Sequence, residues 1–138
     1  MKKLLLTFIL VLFLAGCQET KEATYITEQG SAVGVSLSTE KEIYHSNEMM
    51  KIHVDMLASN FVNGAELRVY GIYAGSYRLD YKKSVDLNKG SNEADIEYRT
   101  PSCNTCSGIK AGNYDIIAEL TKNGNIIGKS TKRIEIQQ

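Results

Sequence analysis

From Val33 to the end of the chain, hydrophobic and polar residues alternate with a period of two. Val33, Val35 and Leu37 alternate with Gly34, Ser36 and Ser38, and Met50, Ile52, Val54 and Met56 alternate with Lys51, His53, Asp55 and Leu57. This pattern predicts strands with one buried face. Leu67 and Val69 open a third run that reaches Tyr73. Gly75-Ser76 follows, a pair suited to a two-residue type II′ hairpin into Tyr77, Leu79 and Tyr81. Val85 and Leu87 lead into the turn cluster Asn88-Lys89-Gly90-Ser91, after which Ala94, Ile96 and Tyr98 resume the alternation. Tyr114, Ile116, Ala118 and Leu120 lead to Lys122-Asn123-Gly124-Asn125, where Asn-Gly is a strong hairpin signal, and a last strand runs from Ile126 to Ile136. No window shows a sustained 3.6 spacing. The prediction is therefore an all-β sandwich of about seven to eight antiparallel strands, with hairpins around Gly75, Gly90 and Gly124.

Gly112-Asn113-Tyr114 places a tyrosine at the start of the penultimate strand, where immunoglobulin-like domains use a tyrosine corner whose hydroxyl bonds upstream backbone. Three segments carry a wider likeness: Glu42-Ile43-Tyr44 to Glu48, Val85-Asp86-Leu87 to Gly90, and Gly112 to Ile116 with Ala118. With them the chain resembles the small extracytoplasmic immunoglobulin-like modules of prokaryotic surface proteins, of the CARDB-like and macroglobulin-like kind, over residues 33–138. The resemblance implies a Greek-key sandwich that binds or spaces partners at the cell surface, and it brings no catalytic residues to transfer.

The N-terminus reads differently. Lys2 and Lys3 precede an apolar run from Leu4 to Leu14, broken only by Thr7, which has the form of a secretory signal. It is shorter than the roughly 20 residues a spanning helix needs. The run closes in Leu14-Ala15-Gly16-Cys17, which resembles the lipobox of prokaryotic lipoproteins. That resemblance implies a signal peptide over residues 1–16 and a lipid on Cys17, anchoring the chain outside the cytoplasmic membrane through acyl chains. From Gln18 to Ser31 only Ala23, Tyr25 and Ile26 are apolar, too few to offset the entropy of ordering, so residues 17–32 read as the lipidated Cys and a flexible tether. Random-coil scaling gives such a tether a reach of roughly 20 Å.

Charge excludes more than it selects. The whole chain carries 16 Lys+Arg and 16 Asp+Glu. Loss of Lys2 and Lys3 with the signal leaves a slightly acidic protein without the basic footprint of a nucleic-acid binder. No Gly-x-Ser-x-Gly, His-Glu-x-x-His or phosphate-binding glycine loop occurs, and the two histidines, His45 and His53, limit any catalytic arrangement; the expectation is no enzyme and no cofactor. The oxygen-rich stretch from Asp86 to Asp95 departs from the EF-hand order and reads as a solvated turn.

Two local features remain. Cys103 and Cys106 sit in a Pro- and Gly-containing loop. An oxidising compartment favours a Cys103–Cys106 disulfide worth roughly 2 kcal/mol, less any ring strain. The alternatives are a redox pair, disfavoured because Gly108 and Gly112 leave no room for a helix, and half of a metal site, which would make the chain a metal-binding or thiol-redox lipoprotein. No metal site is expected from residue spacing alone, and His53 alternates outward. Finally, Tyr70, Tyr77 and Tyr81 form a candidate binding face for a surface protein or glycan, provided the hairpin register brings them to one side.

Overall fold

The computed structural model describes residues 33–103 and 108–138. Eight strands make up the fold: β1 (Val33–Thr39), β2 (Ile43–His45), β3 (Met49–Ala58), β4 (Val62–Tyr73), β5 (Tyr77–Leu87), β6 (Gly90–Arg99), β7 (Gly112–Lys122) and β8 (Asn125–Gln137). One sheet has the order β1-β3-β6, the other β2-β8-β7-β4-β5. The period of two becomes the packing: Met50, Ile52, Val54 and Met56 of β3 face Leu67 and Val69 of β4 and Ile116, Ala118 and Leu120 of β7 in one core, each at most 1% exposed. This is an immunoglobulin-like β-sandwich in which β4 pairs with β7 across the intervening β5 and β6.

The tyrosine corner is present. Tyr114 Oη donates to the Lys110 carbonyl at 2.6 Å, fixing the chain as it enters β7. The Asn-Gly hairpin also forms, with positive φ at both Asn123 (51°) and Gly124 (80°), as a type I′ turn requires.

The structure adds to or departs from the sequence pattern in four places. Ile43-Tyr44-His45 is a strand, β2, because Tyr44 buries to 1% exposure and its hydroxyl accepts from the Lys41 N–H; β2 pairs with β8 in parallel, so the sheets are not wholly antiparallel. Residues 77–81 and 85–87 belong to one strand, β5. The turn at Gly90 is a crossover between sheets, since β5 pairs with β4 while β6 pairs with β3. There the Asn92 amide bonds the Asn88 and Gly90 carbonyls, holding the reversal without a ladder. The β4–β5 loop has three residues, Ala74 to Ser76, closed by the Ala74 N–H to the Ser76 carbonyl at 2.9 Å.

The strands define two poles. At one lie the start of β1 at Val33, the β3–β4 and β5–β6 connections and the β7–β8 turn; at the other lie the β2–β3 turn, the β4–β5 loop and the β6–β7 connection. β4, with 12 residues, spans roughly 35 Å between them.

Candidate functional site

Along β4, Leu67 and Val69 point into the core while Arg68 and Tyr70 point out. The alternation breaks at Ile72, a β-branched residue with φ of 53° that is nonetheless fully buried. Such a conformation is costly for a side chain branched at Cβ. Its effect is to keep Ile72 in the core and leave Tyr73 exposed next to Tyr77, its partner on β5. Tyr77 then packs edge-on against two rings, Tyr70 at 4.9 Å and 73° and Tyr73 at 5.3 Å and 67° between planes.

Tyr70 is the anchored member. It is 9% exposed, its hydroxyl donates to Glu119 at 3.3 Å, and the Arg68 guanidinium lies 4.5 Å from its ring centre. Burial, and then the Glu119 charge, push the phenol up from its ordinary pKa. Arg68 is fixed in turn by two hydrogen bonds to Asp80, at 2.8 and 3.0 Å, and holds the Asp80 carboxyl below the usual carboxylate range. Tyr77 and Tyr73, 43% and 62% exposed, are the free surface of the cluster. The arrangement has no nucleophile paired with a base; what it offers is aromatic area, phenol hydroxyls and a held guanidinium, the means of a binding surface.

Of the three tyrosines expected to form a face, the structure brings together Tyr70 and Tyr77. Tyr81 lies opposite Val69 and packs against the core. The member that sequence reasoning missed is Tyr73: a two-residue turn at Gly75-Ser76 would not pair it with Tyr77, whereas the three-residue loop Ala74 to Ser76 does.

A second cluster lies on the outer face of the three-stranded sheet. His53 points outward as expected, with Nδ1 2.6 Å from Asp95 and Nε2 3.2 Å from Asp55. The Asp95 hydrogen bond is the main cause of a raised His53 pKa. Glu93, directly opposite Asp55, brings a third ligand-type oxygen so that groups of His53, Asp55 and Glu93 lie within 4.8 Å of one another. These side chains could hold a divalent cation, which would compete with the proton that the Asp95 hydrogen bond favours on His53. Asp86, by contrast, accepts from the Gly64 N–H at 2.6 Å, so the acidic stretch from 86 to 95 does not converge on one point.

Cys103 is half-buried and has no disulfide partner among the described residues; its N–H donates to Ser46 Oγ at 2.8 Å and its side chain packs against the core. Its expected partner, Cys106, lies outside the described residues, so the disulfide finds no support here. Nearby, the buried Thr100 hydroxyl donates to the His45 carbonyl at 2.6 Å and accepts from the Glu48 N–H at 2.9 Å, tying β6 to the β2–β3 turn. Cys17, the signal segment 1–16 and the tether 17–32 also lie outside the described residues.

Comparison with known proteins places both parts of the chain. Residues 1–18 match the prokaryotic membrane lipoprotein lipid attachment site. The chain is thus a prokaryotic lipoprotein, anchored by lipid on the extracytoplasmic face of the cell membrane. No protein of curated function matches it by sequence. Among solved structures it is similar to the CARDB domain of a Pyrococcus furiosus protein, described in complex with di-metal ions, at TM-score 0.57 and 14% identity, covering 87% of this chain and 100% of that one. It is also similar to the sporulation control protein Spo0M of Bacillus subtilis, at TM-score 0.56 and 15% identity over 78% of this chain and 50% of that one. A third likeness is to a cycloisomaltooligosaccharide glucanotransferase of Paenibacillus sp., at TM-score 0.61 and 12% identity over 79% of this chain but only 15% of the enzyme. At these identities the likeness is one of fold. This chain therefore spans half of Spo0M and a small part of the enzyme, and the domain it shares with them is an immunoglobulin-like sandwich.

Proposed function

We propose that this lipoprotein is a non-enzymatic surface module that holds a protein partner of the cell envelope through the Tyr70–Tyr77–Tyr73 cluster. The observation that carries the reading is the aromatic cluster itself: two exposed rings backed by a third that is buried, hydrogen-bonded and capped by a paired arginine. Tyrosine and arginine are enriched among the residues that dominate binding energy at protein interfaces; tyrosine brings area with few rotors, and here Asp80 already holds Arg68 in place. A protein is favoured over a glycan because the cluster joins exposed aromatic area to an arginine held by Asp80, the pairing typical of protein-interface anchors. The position of the cluster supports the same reading. The tether from Cys17 enters at Val33, and β4 carries the tyrosines to the opposite pole, away from the membrane.

The test is site-specific photo-crosslinking in cells that express the full lipidated chain. A photoreactive residue at Tyr73 or Tyr77 is expected to trap an envelope protein that the same residue at Lys89, on the opposite pole, does not. Equal products at all three positions, or none at the tyrosines, would overturn the proposal.

A further inference from the structure

Three of the most exposed hydrophobic side chains of the described residues, Leu57 at 63%, Phe61 at 61% and Ile126 at 54%, lie at the pole where the chain enters the sandwich. The register places all three around the first strand. Leu57 pairs with Gly34 of β1. Ile126 opens β8 two residues before Gly128, whose backbone lies so close to β1 that a Cβ there would sit 2.5 Å from Val35. Phe61 stands in the short connection that follows Ala58, the partner of Val33.

The charges at this pole are just as uneven. Its three connections read Ser59-Asn60-Phe61, Asn88-Lys89 and Asn123-Gly124, with no carboxylate among them. Asp86, at the end of β5, is engaged by the Gly64 N–H. The outward Asp55 and Glu93 begin one step further along the β3–β6 ladder beside His53, and Lys122 lies beside the Gly64 loop, donating to the Asn63 carbonyl. At the other pole Glu40, Glu42 and Glu48 crowd the connections around β2.

We infer that this pole docks on the lipid bilayer that anchors the chain. Leu57, Phe61 and Ile126 enter the boundary between headgroups and acyl chains, and Lys89 faces the anionic phosphates. The occupant follows from where the chain leads: the lipid attachment site matches residues 1–18, and with the lipid on Cys17, as the sequence implies, only residues 18–32 separate it from Val33. Lipid anchoring makes the contact intramolecular, so an apolar patch too small to hold a free protein suffices at that effective concentration. An isolated exposed leucine needs no explanation; three apolar side chains around the anchored end, with no carboxylate in the three connections there, do. The docked sandwich stands upright and presents the opposite pole outward, and this holds whatever the tyrosine cluster binds.

The chain has no tryptophan, so one introduced residue reports alone. The full lipidated protein is reconstituted in phosphatidylethanolamine–phosphatidylglycerol vesicles as Phe61→Trp and, separately, as Tyr73→Trp. The expected result is blue-shifted emission from Phe61→Trp with several-fold stronger quenching by acyl-chain-brominated lipid than from Tyr73→Trp. Adding Leu57→Ser and Ile126→Ser should return the Phe61→Trp emission toward that of an exposed indole, with the circular dichroism unchanged. Equal quenching at the two positions would overturn the inference. A blue shift that follows protein concentration and ignores brominated lipid would overturn it too, in favour of a second copy of the chain.

Discussion

Ile72 shows how one residue sets the site. Its left-handed backbone costs on the order of 1–3 kcal/mol, while burying an isoleucine contributes about 2–5 kcal/mol relative to a small residue. Packing wins, and the same twist leaves Tyr73 outside against Tyr77. Ile72→Gly should relieve the strain yet lose more in packing, lowering stability by roughly 2 kcal/mol in urea titration; a gain would show that strain outweighs burial. Tyr114→Phe, which removes the donor to the Lys110 carbonyl, should cost about 1 kcal/mol, read from the same titration. His53 gives a pH signature. Its folded pKa is raised, chiefly by the Asp95 hydrogen bond, so its contribution is fully present below the unfolded value of about 6.5 and fades as pH rises through the folded one. Urea midpoints across that range should show this loss, and Asp95→Asn should flatten it; an unchanged slope in that variant would remove Asp95 as the cause. The outward direction of His53 was legible from alternation. Its partner Asp95 was not, because it is 42 residues away and is brought opposite only by the β3–β6 register.

At the scale of elements, the strands and the tyrosine corner were readable because a half-buried strand must alternate and an Asn-Gly turn must take positive φ. What the residues do not encode locally is which sheet a strand joins. Asn88 to Ser91 has the chemistry of a turn whether the flanking strands pair or part, and here they part because Asn92 closes the reversal with its own amide. β2 escaped for another reason: three residues are too few to show a period, and only the burial of Tyr44 marks them. The tight contact between β1 and β8 depends on Gly128, where an added Cβ would meet Val35 at 2.5 Å and the Val33 carbonyl at 2.7 Å. Backbone on one side of that contact cannot rotate away as a side chain can. Gly128→Val should therefore lower stability by about 1–3 kcal/mol in thermal denaturation, and unchanged stability would mean that β1 moves off β8 freely.

For the whole molecule, the lipid attachment site and the sandwich make one device. The chain enters at one pole, and twelve-residue β4 delivers its aromatic end at the other. The candidate site was half legible: Tyr70, Tyr77 and Tyr81 could be named, but whether they share a face depended on the hairpin register, and the three-residue loop sets Tyr81 opposite Val69 instead of Tyr70. The most direct measurement of the central claim is tyrosine labelling with a membrane-impermeant reagent, on intact cells and on the purified lipidated protein in vesicles. The account predicts that Tyr73 and Tyr77 react readily in vesicles and are protected on cells, where the partner is present. Equal reactivity of both tyrosines in the two settings would contradict it.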